Sequence, residues 1–212
     1  MSEYIIVKNG GEGLYEEKKS RFISTVFGIE DEAQAAAYIE TVRRKYWDAR
    51  HNCYAFVLGD NNETARFSDD GEPSGTAGKP VLEVIARLGI RNCLITVTRY
   101  FGGTLLGTGG LMRAYTNSAL DGIANSGLAV LQPGISYIVK TDYTGEGRIR
   151  YLAASLGAEI KDAIYTDKVE MKLHVTADKS KELKDKITEI TGGRALIVKD
   201  CDLPVEIPYK IQ

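Results

Sequence analysis

The 212-residue sequence is 43% apolar and 8% aromatic, enough to build cores in one large domain or two of ordinary size, which excludes whole-chain disorder and a coiled-coil fibre. Its 27 Lys and Arg against 29 Asp and Glu leave the chain nearly neutral, so any grip on nucleic acid has to come from a local patch. Cys53, Cys93 and Cys201 are odd in number and far apart, neither a disulfide framework nor a closed zinc site, and no leader-like start or long apolar run signals export or membrane insertion. The expected setting is reduced and cytoplasmic.

In chain order, strands are predicted near 3–8, 13–28 and 52–58, with a helix from Asp31 that carries Ala35, Ile39, Val42 and Tyr46 on one side. A shorter helix follows over 80–88, where Val81, Leu82, Val84, Ile85 and Leu88 keep helical spacing and Pro80 suits a first turn. The run Cys93-Leu94-Ile95-Thr96-Val97-Thr98 reads as a buried strand, and a long helix is expected over 111–125. The turn signal Gln132-Pro133-Gly134 then divides the chain into domains 1–132 and 133–212.

The rear domain alternates Ile135, Tyr137, Val139, Thr141 and Tyr143 as a half-buried strand, then spaces Ile149, Leu152, Ala153 and Leu156 as a helix stopped by Gly157. A hairpin of 158–166 and 168–175, a helix capped by Asp178, and a last strand over 196–198 complete the order β-α-β-β-α-β, the ferredoxin-like arrangement. Residues 168–175 carry no Phe, Tyr or Trp, which argues against an aromatic stacking platform on that sheet. The whole chain is α+β.

Two segments stand out as carriers of chemistry. From Arg99 to Arg113, five glycines, Gly102, Gly103, Gly107, Gly109 and Gly110, lie between a strand and a helix start, where unpaired amide groups favour an anion and the two arginines add positive charge. The spacing is neither a Walker loop, since Thr108 stands where Lys is required, nor a dinucleotide fingerprint; a tight connection without a ligand is the alternative. The stretch 68–80 holds Asp69, Asp70 and Glu72 among glycines and prolines. These carboxylates could hold Mg²⁺, serve as acid and base, or pair with Arg99, Arg113 or Lys79 to join the two loops.

His51 and Cys53 share a strand face, but two ligands do not make a metal site, and Cys53 reads best as a core residue with His51 as a polar edge residue. Arg43 and Arg44, with Lys45, Arg50 and His51 close by, form the densest basic cluster; they complement a helix end and, joined by Arg99 and Arg113, would form a basic patch.

Taken together, Ser20-Arg21-Phe22, His51-Asn52-Cys53-Tyr54-Ala55, the segment 69–80, and Arg99-Tyr100-Phe101-Gly102-Gly103 through Leu106-Gly107-Thr108-Gly109-Gly110-Leu111 to Arg113-Ala114-Tyr115 resemble the bacterial YigZ branch of the IMPACT family. The resemblance implies a front domain folded like the second domain of ribosomal protein S5, related to the fourth domain of the translocation elongation factor. It also implies a ferredoxin-like rear domain similar to that factor's fifth. Eukaryotic relatives regulate translation by competing for an activator of a starvation-sensing kinase, but through a different appended domain, so that partner does not carry over.

The resulting expectation is a non-catalytic, translation-associated protein that contacts RNA, the ribosome or a translation factor, with no cofactor, no metal and no membrane partner. Arg99, Gly102, Gly103, Gly107, Gly109, Gly110, Arg113, Lys79, Arg43 and Arg44 are assigned to the anion, and Asp70, Glu72, Ser74 and His51 to ordering the neighbouring loop. The alternative is an enzyme acting on a small phosphorylated or acylated compound, with the acidic loop as base or Mg²⁺ site.

Overall fold

The computed structural model describes residues 3–59 and 61–210, and the chain divides into two compact units, one spanning Tyr4–Val130 with the segment from Pro208, the other spanning Leu131–Ile207. Among the described residues no helix is long and apolar enough to cross a membrane. The fold is α+β throughout.

The front unit is built on an antiparallel sheet in the order β2-β3-β7-β4-β5, made of β2 (Gly11–Glu17), β3 (Ser20–Gly28), β7 (Cys93–Tyr100), β4 (His51–Leu58) and β5 (Thr64–Ser68). Alternation along the strands assigns each side chain to a face. Phe22, Val26, Cys53, Ala55, Val57, Ile95 and Val97 meet α2 (Gly78–Leu88) and α3 (Gly107–Ala124) in the main core, while Phe56, Leu58 and Leu94 meet α1 (Glu32–Lys45) on the other side. Strands β4 and β7 are therefore covered on both faces, which is why the 93–98 run reads as continuously apolar. A short parallel pair, β1 (Tyr4–Asn9) with β6 (Ile90–Arg91), completes the unit. Two serines tie α3 to the sheet in the second half of the helix: Ser24 Oγ donates to Ser118 O at 2.6 Å and Ser118 Oγ to Phe22 O at 3.1 Å.

The rear unit is ferredoxin-like. Its part of β8 (Gly127–Thr141) leads into α4 (Tyr143–Leu156), β9 (Glu159–Tyr165), β10 (Val169–Thr176), α5 (Ser180–Thr191) and β11 (Leu196–Tyr209), with β10 between β8 and β9 and β11 also on β8. Tyr137, Val139, Val169, Met171, Leu173 and Val175 pack beneath the two helices with Ile149, Leu183 and Ile187.

Several expected boundaries differ. The single strand over 13–28 is a hairpin, turned at Lys18 and Lys19, both with positive φ (46° and 66°); no glycine marks it, so the turn is silent in the sequence. Strand β5 was not expected, and Asp178 does not cap α5, whose cap position is Lys179. The Gln132-Pro133-Gly134 turn does not exist, because those residues lie inside β8. Pro133 has no N–H to donate, but its carbonyl still accepts from Ala177 N at 2.9 Å, and Gly134 is glycine because an added Cβ would overlap Val205 and the Val175 carbonyl.

Candidate anion and nucleic-acid interface

Pairing of β4 with β7 sets His51 opposite Arg99. The loop from β5 to α2 (69–77) and the loop from β7 to α3 (101–106) therefore open at the same end of the front sheet. The first is ordered by its own carboxylates. Asp69 accepts from Gly75 N at 2.8 Å, Ala77 N at 3.0 Å and Gly78 N at 2.9 Å, which supplies the α2 start with the acceptor that its cap residue Ala77 lacks. Asp70 Oδ2 accepts from Asn52 N at 2.6 Å, its carbonyl meets His51 Nδ1 at 2.9 Å, and Arg43 lies 3.6 Å from its carboxylate.

Glu72 is the buried member of the loop. One of its oxygens accepts from Arg99 Nη1 at 2.7 Å and from the Tyr115 hydroxyl at 2.9 Å, and Cys53 Sγ lies 3.4 Å from that hydroxyl. Burial drives the Tyr115 hydroxyl far above its ordinary range, with Cys53 and Glu72 adding to the shift. Burial likewise pushes the Cys53 thiol up despite its bond to Tyr115, which favours the protonated thiol. The three carboxylates turn to three different sets of partners, and together they hold the loop in place.

The structure revises the charge pattern expected from sequence. Arg99 is not a free cation flanking the glycines: it is 7% exposed, paired with Glu72, with its guanidinium against Phe22 and Phe101. Of its nitrogens, Nε is buried without a partner. Gly102 does not face an anion either, since its amide donates to Ser20 Oγ at 3.1 Å and a Cβ there would overlap the Lys19–Ser20 backbone. Arg43 is paired with both Glu40 and Asp70. Arg44, Lys79 and Arg113 are exposed and make no ion pair among the described residues. Ser74 is exposed at the tip of the acidic loop.

Helix α3 begins four residues earlier than its apolar spacing suggests, at Gly107, and no side chain caps it. Gly103 and Gly107 take φ of 87° and 70°, where the side chains of other residues are strained, and nothing stands near the place a Cβ would occupy. Gly109 and Gly110 belong to the first turn. This uncapped start borders a cleft of 430 Å³ whose wall includes Arg99, Phe101, Leu105, Leu106, Arg50 and His51. Phe101 is 51% and Leu105 81% exposed. Sequence reasoning named Asp69 as a candidate metal, acid-base or pairing carboxylate and not as the acceptor at the α2 start, and it assigned no role to Tyr115, Phe101 or Leu105; apolar side chains inside a loop otherwise made of turn residues were the available signal for the last two.

Comparison with known proteins gives the same picture of the chain. Residues 18–123 match the Impact N-terminal domain, and residues 139–194 match a domain of unknown function, DUF1949. The IMPACT family member YvyE of Bacillus subtilis is 36% identical over 197 residues, 92% of this chain and 90% of its own. The IMPACT family member YigZ of Escherichia coli is 35% identical over 178 residues, 83% and 87% of the two chains. A solved structure described as a crystal structure of an hypothetical protein covers 93% of this chain and 97% of its own, at 32% identity and a TM-score of 0.60.

Proposed function

The chain belongs to the IMPACT family, and from that premise we propose that it is a non-catalytic, translation-associated protein whose front unit contacts RNA, foremost the RNA of the ribosome. The observation that carries this reading is the uncapped start of α3, which borders the cleft that Arg99 lines, with Arg44, Lys79 and Arg113 exposed and unpaired on the same unit. Helix starts attract anions through their free amide groups, and exposed cations add counterion release from a phosphate backbone.

The separate partners of the three carboxylates and the raised Cys53 thiol speak for binding over catalysis. Sedimentation with ribosomes at low salt is the test. The wild-type chain is expected in the ribosomal fraction, with Arg113→Glu and Lys79→Glu each weakening binding and lowering the salt slope by about one. A chain that stays free at every salt concentration overturns the reading. Arg99 is not the residue to reverse, because its replacement would strand buried Glu72.

A further inference from the structure

We infer that the cleft between Phe101 and the start of α3 receives an unpaired base of single-stranded RNA, its phosphate set at the α3 amides; this rests on the RNA reading above. A site for phosphate alone has no use for apolar walls. Here Phe101 and Leu105 stand 51% and 81% exposed beside Leu106 and Leu111 on the cleft wall, a costly display of apolar surface unless a flat apolar group covers it. The volume of 430 Å³ falls at the small end of ligand clefts, about 300–1,000 Å³, and suits one nucleotide better than a long chain of contacts.

The anion end of the cleft has two independent features. One is the uncapped helix start at Gly107 and Thr108. The other is Arg99, more than nine-tenths buried on the cleft wall beside Glu72, which accepts from its Nη1 and lines the same cleft; its Nε is left without a partner and its guanidinium lies over the Phe101 ring at 5.6 Å. A ring with a guanidinium on it and exposed surface left over is the stacking platform that single-strand binders use. Arg50 also lines the cleft and adds charge beside it. An A-form duplex buries its base faces and cannot fill such a slot.

Fluorescence anisotropy of the full chain at low salt tests this, with a labelled single-stranded RNA and the same sequence as a blunt duplex. The single strand is expected to bind about ten-fold more tightly, and Phe101→Ala and Leu105→Ala to remove most of that preference while Phe101→Tyr keeps it. Because both side chains are largely exposed, unchanged melting temperatures will separate lost stacking from lost folding. Equal affinity for the two RNAs, or single-strand affinity untouched by Phe101→Ala and Leu105→Ala, overturns the inference, and RNA contact then still stands. Failure of both RNAs to bind removes it together with the reading beneath it. An apolar peptide with a free carboxylate whose binding depends on Phe101, while both RNAs bind the Phe101→Ala chain normally, assigns the cleft to protein and also overturns it.

Discussion

On the open face of the rear sheet Lys140 meets Glu170 at 2.7 Å and Lys172 meets Asp200 at 3.0 Å, with Ser136 donating to the same Asp200. At the loop end of the front sheet the ion pair Arg99–Glu72 is buried, while Arg44, Lys79 and Arg113 lie exposed without one. The two regions spend charge differently. The rear face pairs these charges across strands and shows no Phe, Tyr or Trp along β10. The front face consumes one pair to fix a loop and leaves cations, apolar side chains and helix amides open. Residues 1–132 hold 14 Lys and Arg against 16 Asp and Glu and residues 133–212 hold 13 against 13, so the balance of charge is close in both and the arrangement is what differs.

The sharpest test of this contrast is removal of the Glu72 carboxylate. Glu72→Ala strands Arg99 in the core and is expected to cost about 3–5 kcal/mol in urea unfolding. A loss below about 1 kcal/mol would show the pair to be dispensable. Next is Asp69→Ala, which deprives three amides of an acceptor; a loss of about 2–3 kcal/mol, with new protease cleavage within 69–78, is expected.

Alkali should separate the two units. Cys53 and Cys93 are buried in the front core, whereas Cys201 in the rear unit is exposed. Burial alone pushes the Cys93 thiol up to about 12 from an ordinary 9.0. A group raised in the folded state contributes its stability in full below the unfolded value and loses it as pH climbs toward the folded one, so the front unit weakens from about pH 9 upward by about 1.4 kcal/mol per pH unit for this thiol. Amide hydrogen exchange at pH 10.5 should show front-unit protection falling by about 2 kcal/mol, and Cys93→Val should blunt that fall. The smallest effect belongs to the rear face. Lys172→Ala breaks a half-exposed pair and should cost under about 1 kcal/mol, with RNA binding unchanged.

Element order and the rear topology were legible because periodicity, caps and glycine stops are local. Asp31 and Asp142 cap α1 and α4 as short polar residues do, and Gly157 and Gly192 end α4 and α5 in the left-handed conformation. The Lys18–Lys19 turn and the uninterrupted β8 were not legible, because cross-strand pairing overrode the residue types expected at each. At the site, the glycines flagged a special loop, yet Gly102 turned out to serve close packing and Arg99 an internal ion pair.

By itself, the sequence determined most of the strands and helices, though not β5 or the turn at Lys18–Lys19, and it marked the loops that the structure has at 101–106 and 69–77. Those properties follow from the side chain's own periodicity and from the backbone freedom of glycine and proline. Which charge would neutralise which was decided only in three dimensions. Glu72 and Arg99 lie 27 positions apart, and only the register of β4 against β7, with the acidic loop folded back on Asp69, brings them within 2.7 Å. A cation's availability to a partner depends on that meeting, because Coulomb attraction acts through space and not along the chain.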